Sequence, residues 1–133
     1  MAGPAKRELE KVLYVEDEAD IRTVAEMALG SVGGFEILLC ASGAEAIAKA
    51  PVFRPDIVLL DVMMPDMDGP DTLQALRKVP ALKDVPAVFL TAKAMPSEID
   101  RYRKLGALDV IAKPFDPMTL ADQVRRIWTA GQR

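Results

Sequence analysis

The 133-residue sequence contains no histidine and a single cysteine. A zinc site built from His and Cys therefore has no cluster of donors to draw on. Cys40 lies inside the apolar run from Phe35 to Cys40 and has no second thiol to pair with. That withdraws the usual support for an oxidised, secreted fold and makes a reduced cytoplasm the expected compartment. Long apolar runs are missing too. Charged residues interrupt the chain well before membrane length, and Met1 to Glu8 lacks the apolar core of a signal peptide, so a soluble protein with no membrane association is expected. Nor is there an excess of positive charge: 17 Lys and Arg stand against 20 Asp and Glu, a net charge of -3. General polyanion binding needs a basic face that displaces counterions, so direct DNA binding is not expected. The mixed-sign run Lys6 to Lys11 reads as a solvated lead-in rather than a targeting signal, and residues 1–9 as an amino-terminal tail.

What remains is half hydrophobic, at 50% of residues, enough to bury the core of one domain without staples. Four short apolar runs each end on a polar residue suited to phosphate chemistry. Val12 to Val15 precede Glu16 and Asp17, Ile57 to Leu60 precede Asp61, Ala87 to Leu90 precede Thr91, and Asp109 to Ala112 precede Lys113. In a parallel α/β sheet the ligand site lies beyond the carboxyl ends of the strands, where strand order reverses, so such residues converge from distant parts of the chain. Taken singly, Asp61 reads as a turn or capping residue, Thr91 as a loop hydroxyl and Lys113 as a solvated amine. Taken together they predict one pocket that holds acids, a hydroxyl and an amine.

Helical spacing fills the gaps between the runs. Ile21, Val24, Ala25 and Ala28 form a stripe that Gly33-Gly34 ends, and a strand follows at about 35–40. Ser42 and Glu45 have the spacing of a capping box, and Pro51 and Pro55 are expected to close the helix it starts. Pro70, Pro96 and Pro117 each suit the first turn of a helix, where a missing N–H costs nothing. Apolar faces are expected from Leu73, Leu76 and Val79, from Ile99, Tyr102 and Leu105, and from Leu120, Val124, Ile127 and Trp128. Strand and helix thus alternate five times, which predicts a parallel sheet covered by helices on both faces. Glu18 and Asp20 read as first-turn acids, Asp66 and Asp68 as turn residues with Gly69 giving backbone freedom, and the methionines as packing or loop contacts. With the last helix ending near Arg133, no separate output domain is expected.

Val15-Glu16-Asp17-Glu18, Leu60-Asp61-Val62-Met63-Met64-Pro65-Asp66-Met67-Asp68-Gly69, Leu90-Thr91-Ala92-Lys93 and Lys113-Pro114-Phe115 occur in that order, each after a strand. Together they resemble the receiver domain of two-component response regulators over about residues 10–130, with 131–133 as a short carboxyl tail. The resemblance implies a flavodoxin-like, doubly wound (βα)5 fold with Asp61 as phosphoacceptor. It also implies Mg2+ held directly by Asp17, Asp61 and the Met63 carbonyl, with Glu16 acting mainly through water. The chemistry agrees. A carboxylate that attacks phosphorus must approach an anionic donor, so a divalent cation is needed to neutralise the site, and magnesium prefers a few oxygen ligands plus water. Lys113 would pair with the added charge and Thr91 would be drawn toward it. By the same resemblance the Lys113-Pro114 bond is expected to be cis, and Met63 and Lys93 sit where the family influences water attack on the acyl phosphate.

One departure concerns signalling. The family often carries an aromatic residue three positions before the lysine, and this chain has Val110, so the face of the fourth and fifth helices is expected to report phosphorylation through a backbone shift. The expected function is a stand-alone switch rather than an enzyme, limited to its own phosphorylation and slow self-hydrolysis. Its phosphodonor would be a sensor histidine kinase or histidine phosphotransfer protein, because the sequence has no histidine of its own, and its output a downstream protein target, with a homodimer left open. Two other readings stand beside it. A metal-dependent phosphohydrolase of the haloacid dehalogenase type also uses an aspartate after a strand but wants an acid two residues later, where Met63 stands. A scaffolding pseudo-receiver would never be phosphorylated.

Overall fold

A computed structural model describes residues 8–132 of the chain. Strand and helix alternate in the order β1 (Lys11–Val15), α1 (Ala19–Ala25), β2 (Glu36–Cys40), α2 (Gly43–Phe53), β3 (Ile57–Asp61), α3 (Gly69–Arg77), β4 (Ala87–Thr91), α4 (Pro96–Lys104), β5 (Asp109–Ala112) and α5 (Leu120–Gly131). The α1 helix runs on into a π-helical segment, Glu26–Val32, and a short 3-10 turn, Pro80–Leu82, follows α3. All strand pairs are parallel, in the order β2-β1-β3-β4-β5. Strand order reverses between β1 and β3, which is where this topology opens a crevice for ligands.

Period-two alternation divides the core between the two faces of the sheet. Val12, Tyr14, Leu59, Val88, Leu90 and Ile111 pack with Ala25, Ala28 and Leu29 of the first helical stretch and with Leu120, Val124 and Trp128 of α5. Leu13, Val15, Val58, Leu60, Phe89 and Val110 pack on the other face with Ala46 and Ala50 of α2, Leu73 and Leu76 of α3, and Tyr102 of α4. The strands β3 and β4 are buried throughout, as expected of parallel strands covered on both sides. Leu9, assigned to the tail, is buried at 9% exposure with the first cluster. The rest of that assignment at residues 1–7, and Arg133, lie outside the described residues.

The helix ends show where local signals and tertiary packing diverge. The Ser42 hydroxyl accepts from Glu45 N at 3.1 Å and Glu45 Oε1 accepts from Ala41 N, a capping arrangement close to the one expected. Pro51, however, does not close α2 but lies within it. A proline this late in a helix removes the bond to the carbonyl four residues back and crowds that carbonyl, but leaves the bonds after it free to form. The last turn still closes from Arg54 N to Ala50 O at 2.8 Å, with Arg54 itself at φ 56 ending the helix. Pro117 likewise falls before α5 rather than in its first turn. Asp116 builds a separate turn there, its Oδ1 accepting from Met118 N at 2.8 Å and its carbonyl from Thr119 N and Leu120 N. Leu105 stands 44% exposed instead of joining the α4 face, because the helix has ended and Gly106 reverses the chain at φ 106. Pro70 and Pro96 do occupy first turns.

Asp66 adopts φ 67 and Asp68 caps α3, its Oδ1 accepting from Asp71 N at 2.9 Å, so both are turn residues as expected. Gly69 serves a different purpose from the one expected. Its φ is not positive; instead a Cβ at this position would lie 2.6 Å from the Asp61 carbonyl oxygen and 3.0 Å from Val62 Cα. The start of α3 thus rests against the end of β3, with Gly69 N donating to Val62 O at 3.0 Å. Gly69→Ala must push those two backbones apart. It is expected to lower stability by about 1–3 kcal/mol in urea denaturation; a loss below about 0.5 kcal/mol, the range of an ordinary surface change, would contradict this packing.

Candidate functional site

Strand register builds the site. Val15 lies opposite Leu60, Asp61 opposite Leu90, and Thr91 opposite Ala112. Glu16 therefore stands level with Asp61, while Thr91 lies one residue beyond that level on β4 and Lys113 two residues beyond it, just past β5. All four emerge at the carboxyl edge beside the β1/β3 switch point. Asp17, one residue later in the β1–α1 turn, is exposed, whereas Glu16 is fully buried and Asp61 is 4% exposed.

The side chains meet. Lys113 Nζ donates to Glu16 Oε1 at 2.9 Å and to Asp61 Oδ1 at 3.1 Å, and Glu16 Oε2 accepts from Glu18 N at 3.3 Å. One oxygen each from Glu16, Asp17 and Asp61 lie within 4.8 Å of one another. A cavity of about 210 Å3 opens beside this cluster, lined by Asp17 and Asp61 together with Glu18, Met63, Thr91, Ala92 and Lys113. Glu18 precedes α1 and makes no side-chain capping bond, while Asp20 lies in its first turn. Thr91 Oγ1 accepts from Lys93 N at 3.1 Å, which leaves the hydroxyl proton free to donate elsewhere. Met63 extends its side chain into solvent at 78% exposure, and Lys93 is exposed. Lys113 and Pro114 are joined by a cis peptide bond.

Three carboxylates here face one ammonium, and Glu16 and Lys113 are both shifted from their ordinary pKa values. Burial, reinforced by the Asp61 charge, pushes the Glu16 carboxyl up to about 7 although the hydrogen bond from Lys113 opposes it. Burial works against the Lys113 ammonium, but its bonds to Glu16 and Asp61 outweigh that and hold its pKa above the ordinary lysine value. The acid set fits a small hard cation: oxygen donors, close together, open to water on one side, with negative charge to spare. Cys40 takes no part in such chemistry, since burial pushes its thiol up to about 11 and removes the thiolate.

Two neighbours of the site were not evident from the sequence. Tyr14, next to Val15 on β1, buries its hydroxyl without a hydrogen-bond partner among the described residues, and burial together with the Glu16 and Asp61 charges raises its pKa. Its ring meets Phe115 edge-on at 6.5 Å, on the far side of the Lys113-Pro114 step. Arg22 on α1 donates from Nη1 to the carbonyl oxygens of Glu16 at 2.8 Å and Asp17 at 2.9 Å. Tyr14 reads from sequence only as one more apolar strand residue, and no spacing rule separates Arg22 from any other helix-surface arginine.

The family model for the response regulator receiver domain matches residues 12–125. This chain belongs to that family. The receiver is 40% identical over 118 residues to a protein of Porphyridium aerugineum described as the probable transcriptional regulator ycf27, covering 89% of this chain and 48% of the relative. It is 36% identical over 116 residues to the DNA-binding response regulator MtrA of Mycolicibacterium paratuberculosis, covering 87% of this chain and 50% of that protein. The receiver therefore spans about half the length of these curated relatives. Among solved structures it resembles the chemotaxis protein CheY4 of Vibrio cholerae, with a TM-score of 0.82 and 34% identity over 90% of this chain and 98% of the other. The five-stranded parallel sheet of the receiver is the flavodoxin-like arrangement that the family resemblance implies. No helix among the described residues is long and apolar enough to cross a membrane.

The raised Glu16 pKa fixes the sign of a pH effect in metal-free receiver. Because the folded carboxyl holds its proton more tightly than the unfolded one, its contribution to stability is complete below the ordinary carboxylate range and is lost as pH rises through about 7. Urea denaturation in EDTA should show stability falling between roughly pH 5 and pH 8, and Glu16→Gln should flatten that fall. Parallel profiles for wild type and variant would contradict the assignment.

Proposed function

We propose that the receiver accepts a phosphoryl group on Asp61 from a phosphohistidine of another protein, with Mg2+ bound by the acid cluster, and that the modification switches protein partners. The observation that carries this reading is the convergence of Glu16, Asp17 and Asp61 beside one paired ammonium and an open cavity. An Asp61 carboxylate oxygen attacks phosphorus, an acyl phosphate bond forms, and the donor's nitrogen–phosphorus bond breaks to release imidazole. When bound, the cation would neutralise the negative charge that donor and acceptor bring together. Asp17 and Asp61 would hold it directly with the Met63 carbonyl, and Glu16 mainly through water. Lys113 then has an anionic phosphoryl group to pair with, and the Thr91 hydroxyl has an oxygen to donate to. Drawing Thr91 inward competes with its bond from Lys93 N and so biases the β4–α4 loop between two arrangements.

The donor is a sensor histidine kinase or a histidine phosphotransfer protein, since this sequence contains no histidine. Residues 10–130 form the phosphoacceptor domain, and the compartment that suits it is the cytoplasm. Its output is a change in the binding of a downstream protein. Val110 is 8% exposed and packs in one cluster with Phe89 and Tyr102, so readout through the α4 and α5 face proceeds by movement of the backbone. Phosphomonoester turnover is disfavoured because Met63, two residues after Asp61, has no proton to give a leaving alcohol.

Intact-mass measurement after incubation with acetyl phosphate, with and without magnesium, tests this reading. One phosphoryl adduct is expected on wild type with magnesium, and none on Asp61→Asn or in EDTA. Folded wild type that gains no adduct under any condition would overturn it in favour of a scaffold that works unmodified.

A further inference from the structure

The loop that carries the acid pair is held from an unexpected direction. Glu18, which precedes α1, makes no side-chain capping bond, so the turn from Glu16 to Glu18 gains no tether from the usual source. Arg22, half-buried one turn further along, reaches back instead. Its Nη1 carries two protons and points them at two successive main-chain oxygens, 2.8 Å from that of Glu16 and 2.9 Å from that of Asp17. Fixing two consecutive peptide planes fixes the directions in which both side chains leave the backbone. Those side chains must bring oxygens within 4.8 Å of the third carboxylate, on Asp61.

We infer that Arg22 is a positioning residue for the cation site: it clamps the Glu16 and Asp17 backbone so that their carboxylates meet that of Asp61, without touching cation or phosphodonor. The inference rests on the function proposed above. It makes a counterintuitive demand. A guanidinium beside a cation site repels the cation, so a purely electrostatic role requires magnesium to bind more tightly once Arg22 is removed. A positional role requires the opposite, because carboxylates free to splay apart lose the geometry a small octahedral cation needs.

The test is calorimetric titration of magnesium into wild type, Arg22→Ala and Arg22→Lys, alongside acetyl phosphate labelling rates across magnesium concentration. Arg22→Ala is expected to raise the magnesium dissociation constant, and the half-saturating magnesium for labelling, about 10-fold, as loss of an outer contact to a metal ligand does. The rate at saturating magnesium should stay within about twofold of wild type, since Asp61, Thr91 and Lys113 are untouched. Arg22→Lys keeps the charge but can serve only part of the clamp, so it should fall between the two; should the alanine variant fail to fold, a rise in this variant's dissociation constant is the result required. Unchanged or tighter magnesium binding in folded Arg22→Ala, or a loss seen only in the saturated rate, would overturn the role of Arg22 and leave the proposed function standing. Wild type that binds no magnesium would overturn both.

Discussion

Two buried carboxylates share a single ammonium at the carboxyl edge of this sheet, with a third carboxylate exposed within reach. Lys113 contacts Glu16 and Asp61 at 2.9 and 3.1 Å and cannot balance the whole set. Like charges held this close in a partly desolvated site destabilise the folded chain, and an ion pair that lost its one cation would leave a charge buried without compensation. The rest of the molecule supplies what is needed to keep such a site in being. Hydrophobic faces on both sides of the sheet carry the stability, and strand register aims the charged residues at one point. The same excess of negative charge is what the proposed function would draw on, first for a small divalent cation and then for a phosphoryl group.

Positioning is achieved mostly by main-chain means. The β3 strand ends at Asp61, and α3 begins close enough that only glycine fits at position 69. The β1–α1 turn is tied through Glu18 N to the Glu16 carboxylate and through Arg22 to two carbonyls. The Thr91 loop folds onto itself through Lys93 N. The Thr91 bond is one a phosphoryl oxygen could compete with, whereas the contacts around Asp61 are held by packing. This division suits the proposed function, in which Asp61 would stay still while the Thr91 loop moved.

Much of this was legible in the sequence because it depends on local pattern. Apolar runs of strand length ending on Glu16, Asp61, Thr91 and Lys113, separated by helical periodicity, leave few topologies other than a doubly wound parallel sheet. What escaped the sequence depends on tertiary contact. Pro51 reads as a helix stop but is accommodated in the last turn of α2, where one missing bond is tolerable. Pro117 reads as a helix start, yet Asp116 builds its own turn there first. Gly69 reads as a flexible turn residue when its role is to let two backbones touch. Arg22 and Tyr14 carry no signal at all until the fold brings them against the acid pair, since neither spacing nor composition distinguishes them.

Negative charge at this edge is undercompensated in the protein alone, and in the proposed function a cation would relieve it. The decisive measurement is the urea midpoint near pH 8 for wild type and Asp61→Asn, each in EDTA and in magnesium. Magnesium should raise the wild-type midpoint, Asp61→Asn should raise it already in EDTA by relieving repulsion with Glu16, and the two gains should not add. A wild-type midpoint indifferent to magnesium, or an Asp61→Asn variant less stable than wild type in EDTA, would contradict this undercompensation.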